Sequence, residues 1–194
     1  NMGTLTIGNT LQNNNFNNFC SGTQPGEPVP AAFAIDQTQW FTFTTGANIG
    51  SSATIEALND PLNNGDQIDL QIALYTSSNN TCSGAFTEIE SDYFTPPFGE
   101  EMDVECLQPN TTYWVQVDGS GLNTEGFFGL RIADDGIARA TNDDICSAIN
   151  LGTMALGGTW TDNNMNSFCA TIQAGEPNSP GCIYAIDQTI WVQF

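Results

Sequence analysis

The chain of 194 residues carries 22 acidic residues against 2 arginines, has no lysine and no histidine, and bears a formal charge of −20. This composition excludes a Ser-His-Asp triad, a Schiff-base lysine, a P-loop lysine and a histidine-ligated metal, so we expect no enzyme. Nucleic acids and anionic membranes are disfavoured as partners, because both present negative charge that this surface would repel. No apolar run reaches the length of a membrane-spanning helix, so we expect no membrane insertion.

Short segments with period-2 alternation predict β-strands along the whole chain. Clusters of Gly, Pro and Asn separate them, and no stretch shows a 3.6-residue apolar stripe. Short strands with one apolar face indicate an all-β fold, an antiparallel two-sheet β-sandwich of the jelly-roll kind. The predicted strands are 5–7, 40–44, 53–58, 68–75, 86–89, 102–106, 113–118 and 127–132.

An internal repeat is the strongest signal in the sequence. Residues 1–28 align without gaps on 150–177 with 14 identities, and 34–43 align on 185–194 with 7. The offset predicts a tandem repeat of about 149 residues. We therefore expect one repeat at 1–133 that lacks its entry segment, an acidic linker at 134–144, and the N-terminal third of a second copy at 145–194.

With these segments in view, the unit resembles the bacterial pre-peptidase C-terminal (PPC-like) β-sandwich family. The resemblance implies a non-catalytic module that occurs beside secreted peptidases and in arrays on very large surface proteins. The Asn- and Thr-rich style is similar to the giant type IX-secreted adhesins and filament proteins of Bacteroidota. The segments that carry the resemblance are the entry segment 142–149, the aromatic strand 40–43, the strand 68–75, and the closing hairpin 111–119 with 126–132.

Six cysteines without a histidine favour disulfides over zinc, and therefore an oxidising location outside the cytoplasm. Cys82 and Cys106 flank one predicted strand, and we expect them to bridge neighbouring elements. In the repeat, Cys169 is the counterpart of Cys20. The economical hypothesis pairs Cys146 with Cys169 and leaves Cys20 to a partner upstream of the chain.

Calcium is the one cofactor that the resemblance implies. Some family members bind it between the acidic entry segment and the loop before the aromatic strand. Here Asp143 and Asp144 lie in the entry segment, and Asp187 lies in that loop, with Asp36 as its copy in the first unit. Carboxylate oxygens are the ligands that calcium prefers. The alternative is that these residues are solvated turn formers that cap their own backbone.

Trp40 and Trp191 occupy equivalent positions in the two copies. They are candidates for stacking on a ligand such as a sugar, and the alternative is a Trp half-buried beneath an Asn-rich loop at 13–18. Residues that recur in an array are most simply determinants of the fold, although an array of identical binding sites would repeat them too.

The leading functional hypothesis is a structural and adhesive repeat of a large extracellular bacterial surface protein, which builds a filament or appendage for attachment. Its partners would be neighbouring repeats and other copies of the chain. The alternative is a non-catalytic module for carbohydrate or protein binding, attached to a secreted enzyme. Many near-identical units favour the first reading, and one or two units beside a catalytic domain favour the second.

Overall fold

The computed structural model describes residues 1–65, 68–93, 100–176 and 187–194. Contacts within the chain separate it into two compact units, Asn1–Ile137 and Ala138–Phe194. Cys182, for which the sequence leaves open a partner beyond Phe194 or a free thiol, lies outside the described residues.

The first unit is a β-sandwich of two sheets, which confirms the predicted fold class. A five-stranded sheet has the order β1-β3-β8-β5-β6, and a four-stranded sheet has the order β2-β9-β4-β7. Neighbouring strands run antiparallel except β1 and β3, which are parallel. The strands are β1 Gly3–Leu5, β2 Thr10–Asn17, β3 Gln39–Thr45, β4 Ser52–Asn59, β5 Leu70–Ser77, β6 Phe86–Tyr93, β7 Glu100–Glu105, β8 Thr112–Gly119 and β9 Phe127–Asp134.

The main core lies between the two sheets, and the alternation of each strand explains it. On β3, Phe41 and Phe43 point inward, whereas Trp40 and Thr42 lie on the outer face and are half-buried. On β4, Ile55 is fully buried in the same cluster. Each large apolar side chain removed from water in this way contributes roughly 1.5–3 kcal/mol.

The sequence does not predict strand β2, since the Asn-rich segment 13–18 is typical of a loop. Asn is depleted in strands, and the register with β9 shifts between Asn13 and Phe16, which interrupts the period-2 pattern. Leu11 and Phe16 nevertheless pack against the core. The expectation that this segment covers Trp40 is therefore wrong, because β2 belongs to the sheet opposite β3.

The start of the predicted linker is part of the first unit. Asp134 ends β9, and its carboxylate accepts hydrogen bonds from the backbone amides of Gly8, Gly50 and Gly136 at 2.6–2.9 Å. A Cβ on Gly50 would lie 2.5 Å from a carboxylate oxygen of Asp134, so this close approach requires glycine.

The second unit contains a 3-10 helix at Ile145–Ser147 and two short strands, β10 Ile149–Asn150 and β11 Val192–Gln193, which pair in parallel. In the described residues of this unit, Asn142 is buried, and its side-chain amide donates to the Trp191 carbonyl. No helix in the described part of the chain is long and apolar enough to cross a membrane.

Candidate ligand cleft and recurring turn

The outer face of the five-stranded sheet carries a second apolar cluster, separate from the main core. Trp40 lies 5.6 Å from Tyr75 and 5.7 Å from Phe86, measured between ring centroids. Phe86 lies 5.5 Å from Trp114 with the ring planes at 80°. Phe33 packs onto the same cluster. Strands β5 and β8 are therefore buried on both sides, which the alternating pattern did not predict.

A cleft of about 340 Å³ opens beside these rings. One wall is aromatic and belongs to the strands, and the other belongs to the turn at residues 24–28. Trp40 is half-buried here, and Trp114 is 6% exposed. The lining residues are Gln24, Pro25, Gly26, Glu27, Pro28, Trp40, Thr42, Cys82, Phe86 and Trp114.

A buried carboxylate on β8 holds the segment 28–37, which covers this face of the sheet. Asp118 is fully buried and accepts hydrogen bonds from the backbone amides of Asp36, Gln37 and Gly119 at 2.9–3.0 Å. Burial raises the pKa of Asp118, while these hydrogen bonds oppose the shift. The alternation along 113–118 predicts that Asp118 faces outward. Nothing in the neighbouring sequence predicts that a distant segment covers it.

A second buried polar pair supports the same face. The Tyr75 hydroxyl donates to the Gln116 side-chain oxygen at 3.0 Å, and the Gln116 side-chain amide donates to the Pro28 carbonyl at 3.4 Å. Burial raises the pKa of Tyr75, and the negative charge of Glu88 adds to that effect. The turn at 24–28 is thus tied to the sheet through a buried amide.

Glu27 connects the turn to the start of β3. Its carboxylate accepts a hydrogen bond from the Thr38 hydroxyl at 2.8 Å and from the Gln24 backbone amide at 3.1 Å. Gly26, the preceding residue, has φ +91°, a conformation that favours glycine. Residues 26–28 (Gly-Glu-Pro) and 34–38 (Ala-Ile-Asp-Gln-Thr), which are identical in the second copy, therefore meet through one carboxylate and one hydroxyl.

The second unit forms the same contact. Glu176 accepts from the Thr189 hydroxyl at 2.7 Å, and Gly175 has φ +97°. The Trp191 indole N–H also donates to Glu176 at 3.1 Å. Trp191 is half-buried, and its indole N–H forms a hydrogen bond within the fold. Ligand stacking by Trp40 or Trp191 stays a prediction.

Further backbone contacts match between the two segments. The Met2 amide donates to the Thr42 carbonyl at 2.7 Å, and the Leu151 amide donates to the Gln193 carbonyl at 2.8 Å. Other matched pairs are Asn9 to Thr6 with Gly158 to Ala155, Ser21 to Asn18 with Ala170 to Ser167, and Glu27 to Gln24 with Glu176 to Gln173.

Three of the four aspartates proposed for calcium accept hydrogen bonds within the chain. Asp36 accepts from the Asn123 backbone amide, Asp143 accepts from the amide and hydroxyl of Thr171, and Asp144 caps the 3-10 helix. Asp187 is exposed. Among residues 1–65, 68–93, 100–176 and 187–194, no three Asp, Glu or Cys side chains form a set that could hold a metal ion. Asp144 caps its own backbone, as the alternative predicts, whereas Asp36 and Asp143 accept from residues distant in the sequence. Calcium binding stays a prediction.

Neither predicted disulfide pair is formed. Cys82 and Cys146 are free and exposed, whereas Cys106 and Cys169 are disulfide-bonded. Cys82 lies in the turn between β5 and β6 and lines the cleft, while Cys106 follows β7 in the other sheet. Cys82 and Cys106 flank one strand in the sequence, but they do not form a disulfide. Cys20 is free and exposed, and it shares φ +57° with its counterpart Cys169.

No protein family model and no curated protein matches this chain. A crystal structure of the pre-peptidase C-terminal domain of a collagenase from Bacillus anthracis is similar to it, with 12% identity, 67% of this chain and 92% of that chain covered, and a TM-score of 0.35. No function or residue role follows from a likeness at this level. The fold assignment rests on the strand pairing described above, and the family resemblance stays a prediction from the sequence.

Proposed function

We propose that this chain is a non-catalytic structural and adhesive repeat of a large extracellular bacterial surface protein. One observation carries the proposal. The recurring Glu and Thr make the same hydrogen bond in both segments, Glu27 with Thr38 and Glu176 with Thr189. Residues that recur and bond to one another support a repeated building unit.

Charge and redox chemistry support the extracellular part of the proposal. A charge of −20 keeps such units soluble and apart unless cations screen them. Calcium is the cation we propose to bridge acidic chains. Cys106 and Cys169 are disulfide-bonded, and such bonds persist in oxidising compartments. The partners we propose are neighbouring repeats and other copies of the chain.

Electron cryo-microscopy of the parent protein, with and without a calcium chelator, tests this function. We expect ordered filaments of several chains, which lose order when the chelator removes calcium. Isolated flexible chains under both conditions would contradict an assembly role and would favour the second candidate.

The second candidate is a binding module of a secreted protein, for carbohydrate or for another protein. The specific observation in its favour is the cleft lined by Trp40, Phe86 and Trp114. Trp40 belongs to a recurring segment, and Phe86 and Trp114 belong to β6 and β8. Binding to this cleft that is lost with Trp40→Ala would support the second candidate.

A further inference from the structure

In the part of the chain that the structure describes, the hydrogen bonds to the Glu27 carboxylate come from neutral donors. Glu27 is half-buried in the cleft wall, and its hydrogen bonds come from the Thr38 hydroxyl and the Gln24 amide. The chain has two cations, and neither belongs to the residues lining the cleft. Arg131 forms an ion pair with Glu56 on the four-stranded sheet, and Arg139 belongs to the second unit. The negative charge of Glu27 is therefore available to a cationic ligand.

The aromatic wall suits a cation as well. The faces of aromatic rings carry negative partial charge, and a guanidinium or ammonium group within about 6 Å of a Trp ring is attracted to it. Phe86 and Trp114 meet edge to face, and both line the cleft together with Trp40. Aromatic faces combined with one carboxylate form a site that attracts positive charge and repels anions.

The charge of the whole chain indicates where that cation comes from. The chain contains no lysine, and one of its two arginines already pairs with Glu56. A second copy of this sequence is therefore a poor source of a basic side chain. A distinct protein with a basic surface is complementary to the charge of −20 and to the cleft.

We propose that the cleft receives an arginine or lysine side chain of a basic partner protein. The cation lies against Trp40 and pairs with the Glu27 carboxylate. This inference rests on the second proposed function, binding at the cleft, and names its ligand. It does not depend on whether the unit occurs in an array.

An NMR titration of the ¹⁵N-labelled chain at physiological salt tests the proposal. The probe is the peptide acetyl-Gly-Arg-Gly-amide, and the matched ligand is the same peptide with neutral citrulline in place of arginine. We expect the arginine peptide to shift the Trp40 indole signal and the Glu27 amide signal. The citrulline peptide should bind at least about fivefold more weakly, since it lacks the charge.

Two matched variants remove the same charge from opposite faces of the sandwich. Glu27→Gln should weaken binding of the arginine peptide about fivefold, whereas Glu101→Gln on the four-stranded sheet should leave it unchanged. Glu27→Gln keeps the shape of the side chain, so this comparison stands even if Trp40→Ala fails to fold.

Three results would overturn the inference. Equal binding of the citrulline peptide would remove the role of charge, and equal weakening by Glu101→Gln would show non-specific attraction to an acidic surface. Shifts with cellobiose or chitobiose but not with the arginine peptide would replace the cation with a carbohydrate and keep the binding function. If neither the peptide nor the saccharides shift the cleft signals, the second proposed function fails together with this inference.

Discussion

The two outer faces of the sandwich differ, although both sheets use alternating strands. On the five-stranded sheet, Tyr75 and Trp114 point away from the main core and are still buried. On the four-stranded sheet, the outward residues Glu101 and Asp103 of β7 are exposed. The outer face of the five-stranded sheet, the covered face, is aromatic, and the outer face of the four-stranded sheet, the bare face, is acidic.

The difference shows that an outward position on a strand does not determine whether a polar residue is buried or exposed. Asp118 and Asp103 both occupy outward positions on a strand. Asp118 is fully buried and holds the covering segment, whereas Asp103 is exposed and accepts a hydrogen bond from the Thr54 hydroxyl at 2.7 Å. The covering segment at 28–37 decides which role applies, and it lies more than 80 residues before Asp118 in the sequence.

Removing a ring from the covered face should have the largest effect. Trp114→Ala leaves a cavity beside Phe86 and should lower the free energy of unfolding by about 3–5 kcal/mol. Glu105→Ala, a truncation on the bare face, should change it by no more than about 0.5 kcal/mol. Urea denaturation of both variants measures the difference. Similar losses would show that the aromatic face is not packed as described.

Removing the buried carboxylate should have the next largest effect. Asp118→Ala leaves the backbone amides of Asp36, Gln37 and Gly119 without their acceptor, at a cost of about 1–3 kcal/mol. Hydrogen exchange at residues 34–38 should accelerate. Asp103→Ala is the matched control, and unchanged protection at 34–38 in the Asp118 variant would contradict the account.

The pH dependence should separate Asp118 from Asp135. The folded pKa of Asp118 is raised, so its contribution to stability is complete below the ordinary value of 3.8 and is lost as the pH rises through the raised value. Although burial raises it, hydrogen bonds from Ser51, Ile137 and Ser52 hold the pKa of Asp135 below its ordinary value. The contribution of Asp135 is therefore present above 3.8 and is lost as the pH falls through the lowered value.

Urea denaturation from about pH 3 to about pH 7 measures this separation. The stability lead of the unsubstituted chain over Asp118→Asn should shrink as the pH rises. Its lead over Asp135→Asn should shrink as the pH falls. If the stability difference changed with pH in the same direction for both variants, the environment described for Asp118 or for Asp135 would be wrong.

The smallest effect belongs to the ion pair on the bare face. Arg131 pairs with Glu56, and both are partly exposed, so Arg131→Gln should cost about 0–1 kcal/mol. Glu101 lies opposite Glu56 in the register, so removing the cation also leaves two like charges together. A double-mutant cycle with Glu56→Gln measures the coupling, and a value above about 2 kcal/mol would place this pair in a much drier environment.

The sequence predicted the parts that depend on local pattern. The two-sheet architecture and seven of the nine strands of the first unit followed from alternation and turn residues, whereas the strand predicted at 5–7 shares one residue, Leu5, with β1. β2 was not predicted because it is rich in Asn and its register with β9 shifts between Asn13 and Phe16, which interrupts the alternating pattern. The predicted cysteine pairs were wrong because sequence spacing does not show which strand ends meet. The covered face was also missed, since burial of Asp118 depends on a distant segment.

The central claim is that the recurring residues are determinants of the fold in both segments. Hydrogen exchange of Thr38→Val and Thr189→Val tests it most directly, with Thr54→Val as the control. We expect faster exchange of the Glu27 amide in the first variant and of the Glu176 amide in the second, with no change at either in the control. Unchanged protection in both variants would contradict the claim and would favour a binding role for the recurring residues.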